Sequence, residues 1–309
     1  MSEPTRPSRP ARHGRAVRFT AGLAVLLGLV AYVTVHYVTG SKGAPRCTIG
    51  SGSNRYEFTP EQASNAATIA AVGTGRGLPE RAVTIALATA LQESGLRNIE
   101  HGDRDSLGLF QQRPSMGWGT PEQILDPVYS SGKFYEGLEK VPGYSRLPLT
   151  VAAQKVQRSG FPQAYAKHEP DATLLSAALT GRAPAALACT ADVQEGRPGD
   201  PSRVRAELIR AFGEETAPKG VTAGAGAAGA AAAVPPAVEL SVPVRPTGAQ
   251  RDQRGWELAQ WAVARADDLR IAEVSYGDRT WIADDASGDW TPAGSRSTDG
   301  STVRLRLAR

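Results

Sequence analysis

Cysteine and histidine are scarce in this chain: two and four respectively in 309 residues. Neither Cys47 nor Cys189 has a second Cys or a His close by, so the spacing of a structural metal site is missing. No His follows His168, which removes the paired imidazoles of a hydrolytic zinc centre from the C-terminal third. No nucleophile elbow accompanies His101 or His168, so a Ser-His-acid triad finds no support. Gly73-Thr74-Gly75-Arg76-Gly77 lacks both the Lys-Ser/Thr end and the preceding strand of a phosphate loop, and reads as a loop that ends a helix.

A basic domain is also missing, although Lys and Arg outnumber Asp and Glu by 35 to 31. The excess lies in residues 1–18, where Arg6, Arg9, Arg12, Arg15 and Arg18 face one acid, Glu3, for a net of +4. The other 291 residues carry 30 bases and 30 acids, so no nucleic-acid partner is implied. Residues 19–38 contain no Asp, Glu, Lys or Arg, and a helix of that length spans the roughly 30 Å hydrocarbon core of a bilayer. Arginines on the N-terminal flank would keep that end in the cytoplasm and place the bulk of the chain outside the cell. A cleaved signal peptide is the rival reading, but its apolar core is usually about 7–15 residues and ends at an Ala-x-Ala-like site. Here the apolar run is longer and Thr39-Gly40-Ser41-Lys42-Gly43 follows, which favours a membrane anchor.

Outside the membrane, thiols oxidise and stay oxidised. A Cys47–Cys189 disulfide would tie together the two ends of a region of about 140 residues; two unrelated free thiols are the alternative. Between these cysteines and about residue 213 the pattern is helical. Thr59-Pro60-Glu61-Gln62 and Thr120-Pro121-Glu122-Gln123 each combine an N-cap, a Pro at the first helical position and a capping-box Gln. A helix opening at Pro79 carries Val83, Ala86, Leu87, Ala90 and Leu91 on one stripe and stops at Gly95. Residues 101–119 hold too many Gly and Pro for a helix and read as a short hairpin or irregular loop. Further helices are predicted near 127–140, 150–158 and 172–179.

The fold class that follows is mainly α, in successive parts. A cytoplasmic tail (1–18) and a transmembrane helix (19–38) lead into an α-helical domain (47–213). An uncharged Ala/Gly/Pro linker (214–238) then leads to a small α+β domain (239–309), whose helix, Gly255 to Ala264, reads as amphipathic.

Glu93 is the candidate for chemistry. Cleaving a glycosidic bond needs an acid that keeps its proton near neutral pH. A helix C-terminus and apolar neighbours such as Leu91 and Leu96 both raise a carboxyl pKa. The run Gln92-Glu93-Ser94-Gly95-Leu96, followed by Ser106-Leu107-Gly108-Leu109-Phe110-Gln111, resembles the Glu-Ser and Gly-Leu-Met-Gln signatures of soluble lytic transglycosylases and goose-type lysozymes. The resemblance covers roughly residues 60–185. It implies a lysozyme-like helical fold with Glu93 as general acid and base, and it calls for no cofactor and no metal. It makes Ser94, Gly108, Phe110 and Gln111 part of the substrate cleft, with Gln111 bonding sugar or orienting the acid. Where that family carries Ala-Tyr-Asn-Ala-Gly, this chain has Val151 to Gln157, and Gln154 falls near the Asn position. Residues 158–166 and the C-terminal unit are similar to actinobacterial wall-associated membrane proteins.

A second carboxylate would decide the mechanism. Asp103 and Asp105 lie on the loop between the motifs; either one, by positioning a water, would make the reaction a hydrolysis. Without such a group the substrate's own 6-hydroxyl attacks and an anhydro product forms. Arg113 and Tyr144 are candidates to bind sugar or peptide, and Trp118 to stack on a ring. The expectation is a membrane-anchored, extracytoplasmic enzyme that cleaves peptidoglycan glycan strands. The alternatives are a wall scaffold of the same fold with a blunted site, and a structural interaction protein.

Overall fold

The computed structural model describes residues 26–33, 44–50, 55–191, 193, 197–218, 221–223, 238–245, 248 and 250–309. Most of the expected anchor and all of the basic tail lie outside these. Residues 26–33 are helical, with exposed Leu26, Leu27, Leu29 and Val30. No helix among the described residues is long and apolar enough to cross a membrane.

Residues 45–309 form one compact unit. At its centre is α1 (Pro60–Gly75), opened by the predicted Thr59–Gln62 capping box. Its alanines, Ala63, Ala66, Ala67, Ala70 and Ala71, are all buried and leave room for neighbours on every side. The close approach at its C-terminal end requires glycine: a Cβ on Gly73 would sit 2.7 Å from Tyr135 Oη, which donates to Ile69 O at 2.9 Å. Against α1 packs α2 (Glu80–Ser94), buried from Ala82 to Leu91 and ended by Gly95 at φ 63°. There follow α3 (Pro121–Ile124), α4 (Pro127–Glu139), α5 (Leu149–Gln157), α6 (Glu169–Leu179) and α7 (Pro201–Phe212). A 3-10 helix, Pro162–His168, joins α5 to α6 and lies along α2.

The helical part is closed by a three-stranded antiparallel sheet of β1 (Cys47–Ile49), β2 (Tyr56–Phe58) and β3 (Leu187–Cys189), with β1 in the middle. Cys47 sits opposite Cys189 in this sheet and the two form a disulfide. The bridge predicted from two lone cysteines is therefore present, and it joins neighbouring strands.

The C-terminal region is a small antiparallel sheet with one helix over it. β4 (Val221–Ala223), β5 (Val238–Pro243), β6 (Ile271–Tyr276), β7 (Arg279–Ile282), β8 (Thr291–Pro292) and β9 (Thr302–Leu307) are ordered β4-β5-β9-β6-β7-β8. The last strand is thus inserted between β5 and β6, with Val303, Leu305 and Leu307 on the buried face.

Two boundary expectations are corrected. The stretch 214–238 holds more than a spacer: residues 214–216 form a 3-10 turn and Val221–Ala223 is an edge strand paired with β5, while residues 224–237 lie outside the described set. The sheet is not a separately packed domain either. The helix over it, α8 (Arg251–Ala264), is buried at every residue from Gly255 to Ala264, which an amphipathic surface helix is not. One side lies on β6 and the other on α1, α6 and β3. Gln260, fully buried, donates to Ala178 O (2.8 Å) and Ala183 O (3.0 Å), and accepts from the backbone N–H groups of Ala186 and Leu187 at 2.9 Å each. Trp281 and Trp290 donate from the sheet to Cys189 O and Leu187 O, and Arg265 pairs with Glu207 of α7 while bonding Thr68 of α1. A single hydrophobic core runs through both regions.

Candidate active site

A cleft of about 840 Å³ opens beside the C-terminal end of α2. Glu93, in the last turn of α2, lines it and is half-buried. Burial is the largest influence on this carboxyl and pushes its pKa up; hydrogen bonds from Tyr165 and Gln157 pull it part of the way back. Tyr165, fully buried in the Pro162–His168 turn, donates its Oη to Glu93 Oε1 at 2.7 Å. Burial, then the neighbouring acid, drives the Tyr165 phenol far above its ordinary value, so it stays a donor at any working pH.

Gln157, at the end of α5, lies within hydrogen-bond reach of the Glu93 carboxyl. Its Nε2 donates to Phe110 O at 2.7 Å, whereas its buried Oε1 has no partner among the described residues. The same amide nitrogen keeps a second N–H, and that is the one available to the Glu93 carboxylate.

The two sequence motifs meet through Ser94. Its Oγ donates to Leu109 O at 2.8 Å and so ties the end of α2 to the turn Gly108–Gln111. That turn is closed by the isolated bridge Leu107↔Gln112. Gly108 stands at φ 74°, and a Cβ there would meet Ile124 O at 2.7 Å, so both backbone and space demand glycine. Gln111 holds φ 48°, unusual for a residue with a Cβ. It lines the cleft, but its Nε2 bonds back to Gly108 O (3.3 Å) and His101 O (3.4 Å).

Five expectations for the site change: Gly108, to begin with, is buried and does not line the cleft. Phe110 does not face the cleft: it is fully buried and stacks on Phe134 with centroids 4.7 Å apart, and only its carbonyl reaches the site. Ser94 is buried and acts as a bolt between motifs. Gln154 does not line the cleft; its Nε2 donates to Ser159 O at 2.9 Å, and Gln157, one turn later, stands beside the acid instead. Asp105 does not line the cleft either. It accepts from Arg113 Nε (2.7 Å), Ser115 N (2.8 Å) and Ser115 Oγ (3.0 Å), and the Arg113 bond leads these in holding its pKa well below the usual carboxylate range. The carboxylates lining the cleft are therefore Glu93 and Asp103, and the Asp103 side chain is 94% exposed at the rim.

Sequence reasoning missed Tyr165 and Gln157 as partners of the acid. A Tyr in a core needs a hydrogen-bond acceptor, a usable signal, but choosing Glu93 among the acceptors required the fold. Trp118 is half-buried and lines the cleft with Arg113; Tyr144 does not. A smaller hollow of about 220 Å³ on the open face of the C-terminal sheet is lined by Glu239, Glu273, Ser275, Arg296, Arg304 and Arg306. There Arg306 and Arg296 pair with Glu273, and Arg304 bonds the carbonyls of Arg296 and Ser297. No protein-family profile matches the chain, and no curated protein matches it.

Proposed function

We propose that this chain cleaves the glycan backbone of peptidoglycan, with Glu93 as its single general acid and base. One observation carries the reading: a half-buried carboxyl with a raised pKa, held by a neutral phenol and a half-buried amide, opens into a groove large enough for a sugar chain. In the first step protonated Glu93 gives its proton to the glycosidic oxygen as the C1–O bond breaks. The Tyr165 hydroxyl then stabilises the carboxylate that results.

The second step needs a nucleophile at C1. Hydrolysis by the inverting route requires a second carboxylate facing the sugar. Asp105 is spent on Arg113 and Ser115, and Asp103 is solvated at the rim. The arrangement favours attack by the substrate's own 6-hydroxyl, whose proton returns to Glu93. An anhydro sugar forms, and both atoms and charge balance without water. The motif order and this single-acid site together support a lysozyme-like fold of the lytic transglycosylase type. The apolar run 19–38 with its arginine flank supports a single-pass anchor and an extracytoplasmic site, a compartment in which the Cys47–Cys189 disulfide persists.

The test is incubation of the full chain with purified peptidoglycan, followed by mass analysis of the released ends. Anhydro ends that vanish with Glu93→Gln are expected. Reducing ends would assign a hydrolase. Glycan binding with no release by either protein would favour the scaffold reading, to which Gln111, folded onto its own turn, lends its support.

A further inference from the structure

The cleft carries charge that the acid–base steps do not use. Lys140 caps the C-terminal end of α4, Lys155 lies in the last turn of α5, and Arg158 caps α5; all three are exposed and line the cleft. The two helices touch at Gly137 and Val156, where a Cβ on Gly137 would come within 2.9 Å of Val156 Cγ1. The three cations therefore project from two helix ends packed side by side. None of them forms an ion pair among the described residues, whereas the fourth cleft cation, Arg113, is neutralised by Asp105 at 2.7 Å.

Lysines at helix C-termini are ordinary, since the helix dipole favours them. Arg158 is less easily explained. It stands at φ 54°, a cap position where glycine fits without strain. Beside the cations are two exposed apolar side chains that also line the cleft, Phe161 (77% exposed) and Met116 (61% exposed). On the acidic side are only Glu93, which is neutral while it holds its proton, and Asp103 at the rim.

We propose that the cleft selects acidic glycan: sugar rings rest on Phe161 and Met116, and carboxylates carried by the strand meet Lys140, Lys155 and Arg158. The inference rests on the glycan reading above and narrows it. A strand bearing lactyl or peptide carboxylates is a ligand, and an uncharged strand of the same linkage is a poor one.

The experiment measures binding by the full chain carrying Glu93→Gln, so that the ligand survives. The probes are an N-acetylglucosamine tetrasaccharide, which is neutral, and an alternating N-acetylglucosamine–N-acetylmuramic acid tetrasaccharide, which is anionic. Exposed ion pairs are individually weak, so the expected preference for the anionic strand is about tenfold at low salt. It should fall to roughly two- or threefold at 0.5 M salt, where the screening length is only a few ångströms. The additional substitutions Lys140→Gln, Lys155→Gln and Arg158→Gly should erase it. Equal affinity for the two strands, or a preference that ignores both salt and these substitutions, overturns the inference and leaves the glycan reading standing. If neither strand binds, both fall. Should the substituted protein fail to fold, the salt dependence of the parent decides.

Discussion

Glu93→Gln should make the protein more stable at neutral pH while removing the chemistry proposed for it, and the gain follows from the burial of the carboxyl. The amide copies the protonated acid: its oxygen accepts from Tyr165, and it carries no charge for burial to penalise. A neutral bond of this kind contributes about 1 kcal/mol net, and lifting the burial penalty on a partly enclosed charge brings the gain to roughly 1–2 kcal/mol. The sign with pH is fixed by the raised pKa of Glu93. Between its unfolded value, 4.5, and the higher folded value, the native state holds the proton that the unfolded chain releases. Wild-type stability from this group is therefore complete below pH 4.5 and is lost as pH rises through the folded pKa. The variant has no such loss. For a unit of this size 1 kcal/mol moves Tm by about 2–4 °C, so the variant should melt about 4 °C higher at pH 7.5 and level with wild type at pH 4. Thermal unfolding of the full chains at the two pH values is the assay. A difference that is the same at both, or a variant less stable at pH 7.5, would refute the burial penalty on the Glu93 carboxylate. In a Gln157→Leu background, where the carboxylate loses a donor, the gain should grow.

Three more perturbations test the rest of the structure. Tyr165→Phe removes a 2.7 Å charge-assisted bond, worth about 1.5–3 kcal/mol, so the alkaline limb of the pH profile of glycan release should move up by about one to two pH units; an unmoved limb would separate Tyr165 from the acid. Replacing Cys47 and Cys189 together by Ser opens a loop with a separation of 142 residues and should cost about 5 kcal/mol by the chain-entropy model, read by denaturant unfolding; reductant should have the same effect on wild type and none on the variant. Gln260→Leu strips partners from two backbone N–H groups and two carbonyls at the junction of α6, β3 and α8 and should cost about 3 kcal/mol or more; a loss under 1 kcal/mol, by the same unfolding, would argue that the sheet is not joined to the helices through this residue.

Much of the site was legible because its signals are local. Glu93 could be chosen because an apolar stripe ending at Gly95 announces where α2 stops, and a carboxyl two residues before that stop is bound to lie at the rim of a core. The Gly108 turn was legible because a positive φ and a crowded neighbour leave one residue type possible. The misreadings had a common origin: each concerned which way a side chain points within an element placed correctly. Gln154 and Gln157 lie one turn apart on the same helix, and only the packing of α5 against the Pro162–His168 turn selects the second. Asp105 was a fair candidate by position, but Arg113 and Ser115 claim it across a loop whose path periodicity does not encode.

The sequence by itself determined most of the helices, the two Thr-Pro-Glu-Gln caps, the one pairing open to two lone cysteines and the acid at the end of α2, because these depend on neighbours in the chain and on counting; it did not mark α7 or the Asp caps of α4 and α7. Tertiary structure alone decided that Tyr165 and Gln157 clasp that acid, and that α8 is buried between sheet and helices where it had read as the face of a separate domain. Long-range burial governs both, since a polar group enclosed by remote segments must bond to whatever those segments bring.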